Sequence, residues 1–552
     1  MPGLFPSEGL LCISLYPACV KASSLKEVMA NVSIARNLPL TDGRSEVNLY
    51  PMTTLNPSAS SVAAPRSRRR AALGAAYLGT FLATLDISIV NVALPTLQTA
   101  LSTDIAGLQW VVNAYAICLS ALMLSAGPIG DRYGHKRAWM AGVALFTLGS
   151  ALCAVSASLT LFLIGRAVQG VAAALLIPGA MTILTHAFTD PRERAHAIGG
   201  WSAFTALALI LGPLLGGLLL HSAGWQSIFL INLPLGFIAL GLGAWGITEH
   251  RYPEQAALDP LGQSLSIVCL GALTYGMIEA GRTGFLSAFS MIPLAVSLVA
   301  MIAFVIVEMR VKRPLLPIWL FKNRAFAIAN FASFALGFSY YGSLFFFSIF
   351  LQQIQQWSPS EAGWRMMPQF VVTGGVSMLF GRLSTLMGVR RLMVAGYGLV
   401  ALSMSTMVLL SAQTPYWLVG TLFALLGLGA GLAVPGTGIA VMNAVPAERS
   451  GAASATMNAL RQAGMTIGIA LLGTLLSNQA VSFLTRAAHE NGIRDGARVA
   501  HQAVTQHLFP GDLPVISDLY VAAMEHGFHS AMLAAGGMCF LAMVLLLMDR
   551  HG

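Results

Sequence analysis

The chain has 552 residues, of which 56% are hydrophobic and 10% charged, and a formal net charge of +9. An ordinary soluble domain carries about 25% charged residues, so a water-facing surface is excluded for a fold of this size, whereas lipid accepts an apolar exterior. The excess of Lys and Arg would point to nucleic acid in a soluble protein; here it falls in short loops between apolar blocks and reports orientation.

Residues 1–70 differ from the rest: they are mixed in polarity, broken by Pro6 and Pro17, and closed by the basic run Arg66, Arg68, Arg69 and Arg70. They read as a disordered cytoplasmic tail without a cleavable signal, with Met52 as the expected true start. From there the apolar blocks run to about twenty residues, the length a helix needs to cross ~30 Å of hydrocarbon. The alternating pattern of a membrane barrel is missing.

Hydropathy predicts helices over 71–94, 108–129, 138–157, 160–187, 195–220, 225–247 and 261–281. Seven more follow over 286–309, 326–351, 361–386, 391–411, 416–443, 451–483 and 526–548. With the N-terminus inside, Arg132, Lys136 and Arg137, then Arg192 and Arg194, Arg251, Arg310, Lys322, Arg324, Arg390, Arg391, Arg449 and Arg550 all fall on the cytoplasmic side. The opposite loops 96–107, 157–160, 221–224 and 411–415 carry no Lys or Arg. One missed helix would reverse every later loop, so the alternation supports fourteen spans with both termini in the cytoplasm. Arg282, and the long segment 484–525 with Arg486, Arg494 and Arg498, are exceptions on the outer side.

Within helix 1, Leu85-Asp86-Ile87-Ser88-Ile89-Val90-Asn91-Val92-Ala93-Leu94-Pro95 resembles the first-helix signature of the fourteen-helix drug:proton antiporters, the EmrB/QacA-type branch of the major facilitator superfamily. Three further motifs follow in the expected order. Gly127-Pro128-Ile129-Gly130-Asp131-Arg132-Tyr133-Gly134-His135-Lys136-Arg137 resembles the superfamily's loop motif, Arg166-Ala167-Val168-Gln169-Gly170 its Arg motif on helix 4, and Gly212-Pro213-Leu214-Leu215-Gly216-Gly217 the antiporter motif on helix 5. Ala208 stands where the antiporter motif usually begins with Gly, and the second-half copy of the loop motif is reduced to Gly381-Arg382 with Arg390 and Arg391. The resemblance implies an all-α membrane protein of the major facilitator fold. Its bundle of six helices over 71–250 and second bundle over 314–552 are separated by two inserted helices over 251–313.

The resemblance also implies a multi-pass protein of the inner membrane that exports small lipophilic or cationic compounds, driven by the proton gradient. Small-molecule substrate, protons and lipid are the expected partners, with no nucleic acid and with a periplasmic adaptor protein left open. Export of one endogenous metabolite or antibiotic is the alternative. The four cysteines Cys118, Cys153, Cys269 and Cys539 in apolar blocks, and Cys12 and Cys19 in the tail, show no disulfide or metal-ligand pattern. His186, His526 and His529 have no H-E-x-x-H spacing beside them, so neither a metal, a cofactor nor an enzyme is expected.

Physics assigns roles to the motif residues. An acid at the centre of a membrane helix costs ~2.5–3.5 kcal/mol; in a dry site without a permanent partner Asp86 would favour its neutral form and carry protons. The competing role is a helix Asp hydrogen-bonded to Asn91 or a nearby Ser. Arg166 cannot escape burial by losing its proton, and serves either proton coupling or helix bracing.

Asp131, with Gly127, Gly130, Arg132, Gly134 and Arg137, is expected to form a cytoplasmic latch toward the N-terminus of helix 13 in the outward-facing state, the alternative being a positive-inside topology signal alone. Gly212, Pro213, Gly216 and Gly217 permit a bend and close helix approach. Trp110, Tyr115, Trp201, Tyr340, Tyr341 and Phe345 are candidates for lining a lipophilic cavity, each also compatible with core or lipid contact. Glu279 and Glu308 read as interfacial, and Arg461 resembles the family pattern. With Asp86 the one deep acid, monovalent cations or neutral compounds are expected over dications.

Overall fold

The computed structural model describes residues 65–548 apart from 252–258, 312, 313, 317, 447–449, 492, 494 and 507–513. The tail over 1–64 and the Met52 start lie outside the described residues, which contain no strand. Fourteen helices are long and apolar enough to span a bilayer. The first six are α1 Arg66–Ala100, α2 Ile105–Met123, α3 His135–Ala154, α4 Leu159–Ala187, α5 His196–Ala223 and α6 Ser227–Gly246. The inserted pair is α7 Pro260–Thr283 and α8 Ala288–Arg310. The last six are α9 Arg324–Ile354, α10 Pro359–Met387, α11 Val389–Leu409, α12 Tyr416–Asn443, α13 Ala452–Glu490 and α14 Leu519–Met548. Each matches a span expected from hydropathy.

Local chemistry sets the helix ends. Asp104 caps α2 by accepting from Gly107 N at 2.8 Å, Ser158 caps α4, and Asn323 caps α9. Ser358 and Glu361 close a reciprocal capping box on α10. Three boundaries differ from the hydropathy reading. The basic run expected in the tail is already helical from Arg66, and Arg69 Nε donates to Ala187 O at 2.9 Å while its guanidinium pairs with Glu193. The second helix stops at Met123 and most of the loop motif forms a separate short helix, Ala126–Tyr133, which Gly134 with φ of +105° ends by turning the chain.

The expected outer loop 484–525 is also partly helical, over Gly496–Gln506 and in extensions of α13 and α14. Leu484, Ala488, Ala500, Ala503 and Val504 are buried in the main core. A hydropathy average misses such amphipathic turns because the polar face cancels the apolar one.

The fold has two ends, one carrying Arg132, Lys136, Arg137 and Arg390, called here the basic end. At the opposite end the two halves share one core: Ile89 to Leu97 of α1 and Ile105 to Val112 of α2 pack with Phe345, Phe350, Phe370, Leu472 and Phe528 of the second half. At the basic end each half keeps its own core, with Ala72 to Ala83, Trp139 and Leu184 on one side and Phe326, Ala329, Val441 and Met457 on the other. Met378 and Leu386 of α10 are 74% and 80% exposed there. The halves are therefore closed opposite the basic end and keep separate cores at it, where α2 and α13 still meet through Ser120 Oγ, which donates to Ala459 O at 3.1 Å.

The α7–α8 pair is peripheral. In its most apolar stretch α8 is 22% buried against 89% for α9, so α8 is written for lipid and α9 for protein. The pair packs against α2 and α13, and Thr474 Oγ1 of α13 donates to Met277 O of α7. Arg282, the exception to the charge rule, pairs with Asp104 at 2.5 Å, a neutralisation that removes the cost of a lone positive charge on that side.

Candidate functional site

Asp86 lies where the two cores meet. It is fully buried, and its carboxylate accepts from Arg166 Nη1 at 2.5 Å and from Gln169 Nε2 at 3.1 Å. The expected acid without a permanent partner is thus corrected: Asp86 is half of a buried ion pair. Asn91, the alternative partner, donates instead to Ile87 O at 2.6 Å.

Arg166 is 1% exposed. Its Nε donates to Val111 O at 3.0 Å and its Nη1 to Gln169 Oε1 at 2.8 Å, while the guanidinium carbon lies 4.7 Å from the centre of the Tyr115 ring. Tyr115 in turn donates to Ala83 O at 3.0 Å. Gln169 Nε2 donates its other proton to Ser150 Oγ at 2.8 Å, which also accepts from Asn232 Nδ2 at 3.2 Å. The cluster joins α1, α2, α3, α4 and α6 within the first half. A buried pair persists only if its remaining donors and acceptors are met, and Gln169 meets them. Ser150 escaped the sequence reading, and Gln169 was quoted in the Arg motif without a role, although it stands three residues after Arg166 and so on the same helical face.

The antiporter motif adjoins this cluster. In a regular helix the N–H at position 213 would satisfy Leu209 O; Pro213 has none, and Ser88 Oγ of α1 donates to that carbonyl instead, at 3.1 Å. A β-carbon on Gly212 would lie 1.7 Å from Ser88 Oγ, and one on Gly216 3.1 Å from Ile89 Cγ1. On the motif's far side a β-carbon on Gly217 would meet Ser360 Cα at 2.6 Å, and one on Gly363 would meet Pro213 O at 2.2 Å. The motif is therefore a backbone-to-backbone seam, α1 on one side and the start of α10 on the other, two residues along α1 from Asp86.

At the basic end Asp131 bonds His135 Nε2 at 2.9 Å, one turn on, and its short helix packs on α3 and α4 of its own half. The N-terminus of α13, the expected latch partner, adjoins residues 447–449, which lie outside the described residues. Glu249, unnoticed in the sequence, holds the motif: it accepts from Lys136 N at 3.0 Å and faces Arg137 Nε at 3.7 Å. A β-carbon on Gly134 would lie 2.4 Å from Glu249 Oε1. Arg132 lies over Tyr133 at 5.7 Å, and Gly127 has open space around it.

The aromatic candidates make separate contacts in this structure. Tyr340, Tyr341 and Phe345 lie together on α9, with Tyr340 and Tyr341 edge to face at 5.1 Å and Arg461 5.7 Å from Tyr341. Tyr115 belongs to the ion-pair cluster, Trp201 Nε1 donates to Thr80 Oγ1 at 2.8 Å, and Trp110 packs on Tyr275 of the inserted α7. Among the described residues no group of three His, Cys, Asp or Glu could hold a metal.

Residues 76–469 match the family model of the Major Facilitator Superfamily. The chain belongs to that superfamily. Its curated relatives include the methylenomycin A resistance protein of Bacillus subtilis, 34% identical over 72% of this chain and 86% of that protein. The multidrug resistance protein Stp of Mycobacterium tuberculosis is 36% identical over 72% and 74%, and the tetracenomycin C resistance and export protein of Streptomyces glaucescens 30% identical over 88% and 92%. Among solved structures, an auto-inhibited peptide transporter of the POT family aligns over 88% of this chain and 97% of its own with a TM-score of 0.61 at 14% identity. A bacterial homologue of the human lysosomal transporter Spinster aligns over 88% and 99% with a TM-score of 0.57 at 20% identity. These establish the fold. The major facilitator assignment makes the chain a membrane transporter rather than an enzyme, with two six-helix bundles and the α7–α8 pair added.

Proposed function

We propose that this chain is a proton-driven exporter of small lipophilic or cationic compounds from the cytoplasm across the inner membrane, with both termini cytoplasmic. The names of its relatives, which include multidrug and single-antibiotic resistance proteins, support drug export. The charge alternation of the loops supports the orientation, under which the basic end, where the halves keep separate cores, faces the cytoplasm and the structure is inward-facing.

The observation that carries proton coupling is the Asp86–Arg166–Gln169 cluster beside the α1–α5–α10 seam. A proton on Asp86 removes its charge and ends the ion pair; Arg166 then keeps Val111 O, Gln169 Oε1 and the Tyr115 face. Freed of the pair, α1 can shift against α4. Because Ser88 and Ile89 fit the notches of Gly212 and Gly216, that shift reaches α5, and through Gly217 and Gly363 the start of α10 in the other half. Asp86 is fully buried in this state, so protons reach it in another conformation, as alternating access requires. One proton crossing 100 mV releases roughly 2.3 kcal/mol, enough for about fortyfold accumulation at 1.4 kcal/mol per tenfold.

Proteoliposomes with an imposed pH gradient test the reading. Asp86→Asn keeps the size of the side chain and an acceptor but cannot exchange a proton, and proton-linked efflux is expected to vanish while the protein inserts normally. Undiminished efflux by that variant removes Asp86 from coupling. A compound panel separates broad export from a dedicated exporter, for which one compound alone responds.

A further inference from the structure

Asp259 and Glu308 lie at the basic end of the α7–α8 pair and are 7% and 3% exposed. Each spends one oxygen on the backbone: Asp259 Oδ1 accepts from Gly262 N at 2.9 Å as the cap of α7, and Glu308 Oε2 accepts from Leu316 N at 3.1 Å. The other two oxygens, Asp259 Oδ2 and Glu308 Oε1, are buried with no hydrogen-bond partner. Both lie within 2.8 Å of the point where a β-carbon on Gly262 would sit, so they share one small space that glycine leaves open.

Lys312 and Arg313, four and five residues beyond Glu308, lie outside the described residues. Among the described residues neither acid forms an ion pair with Lys or Arg. On α8 Arg310 is exposed; on the adjoining turn Ile318–Lys322, Lys322 is exposed. The other charged groups of α7, Glu279 and Arg282, are at its far end with Asp104. Of the helices that α7 packs on, α2 carries no Asp, Glu, His, Lys or Arg, and Arg461 of α13 bonds Asn458. Two buried carboxylates with orphan oxygens in one space cannot both stay ionised cheaply, and a single proton between them satisfies both oxygens at once.

We propose that Asp259 and Glu308 form a second proton-binding site, one proton held between Oδ2 and Oε1, which fastens the α7–α8 pair to the segment leading into the second half. The site is separate from Asp86 and does not rest on the transport reading. Without that proton two facing carboxylates would repel across the space it bridges, so the stability this contact adds is expected at low pH and lost as pH rises.

Infrared difference spectroscopy of the full chain in nanodiscs, in an Asp86→Asn background, tests this directly. The carbonyl band of a protonated carboxylic acid is expected at neutral pH, fading toward alkaline pH, and absent once Glu308→Gln or Asp259→Asn is added. No such band in the background, or a band that survives both additions, overturns the site. A band erased at neutral pH by Na⁺, K⁺, Mg²⁺ or Ca²⁺ alone overturns the proton in favour of a metal ion. In thermal unfolding, Glu308→Gln keeps an acceptor for Leu316 N–H and can donate its amide to Asp259. It is expected to fold and to lose the alkaline decline in stability that the unaltered chain shows. Equal pH slopes would reduce the two acids to backbone caps.

Discussion

A buried charge or a missing backbone donor obliges some neighbour to answer it, and the centre of this protein is built from such obligations. Arg166 answers Asp86, and Gln169 answers both. Removing the acid as Asp86→Ala strands Arg166 in the core at a cost of about 3–5 kcal/mol, so its unfolding midpoint in detergent is expected to fall well below that of Asp86→Asn, which retains an acceptor. The Ser88–Leu209 bond makes a sharper case. Ser88→Ala leaves Leu209 O without its donor, a loss of about 1–3 kcal/mol. Adding Pro213→Ala supplies an N–H for that same carbonyl, so the double variant is expected to recover part of the loss in a double-mutant cycle. Simple additivity would mean that Ser88 does not replace the missing helix bond. The sequence marked Asp86, Arg166 and Pro213 individually, because ionisable groups and prolines are costly in lipid wherever they stand. It could not pair Ser88 with Leu209, since 121 residues separate them.

Helices in this chain approach through glycine. A β-carbon on Gly337 would lie 1.9 Å from Arg461 O, and one on Gly464 2.2 Å from Phe334 O, so α9 and α13 cross at backbone contact. There α9 widens into a π turn over Gly337–Tyr341, a local accommodation that places Tyr340 and Tyr341 beside the crossing. Arg390 shows a basic loop residue with a second role, donating to Leu546 O and Leu547 O at the end of α14, where exposed carbonyls attract cations.

The loop motif separates two kinds of glycine. Gly134→Ala forces a side chain into φ of +105° against Glu249 and is expected to cost about 1–3 kcal/mol, read as a lower unfolding midpoint. Gly127→Ala meets open space and should leave that midpoint unchanged or slightly raised. If Gly127 faces the other half in the closed arrangement of the basic end, transport by Gly127→Ala falls although stability does not. Intact transport would detach Gly127 from the latch.

At the scale of the whole molecule, the division between shared and separate cores defines which end is open. Cysteine labelling with a hydrophilic maleimide reads it: Gly127→Cys and Gly381→Cys, both in open space, are expected to react, and Gly217→Cys and Gly363→Cys, packed across the halves, to resist. An imposed proton gradient that drives the halves toward the opposite arrangement should reverse the ranking. Labels that ignore the gradient would argue against rocking between the two ends.

Fourteen spans were legible from residue type alone, because crossing a bilayer imposes a length and an apolarity that no tertiary contact can waive, whereas the motifs were legible through resemblance to a known family. Tertiary structure decided what each costly residue meets: Arg166 for Asp86, Glu249 for the loop motif, Asp104 for Arg282, and the facing orphan oxygens of Asp259, which the sequence did not single out, and Glu308, which read as interfacial. Those pairings join residues far apart in the chain, and a charge in sequence carries no mark of the partner that neutralises it until the helices pack.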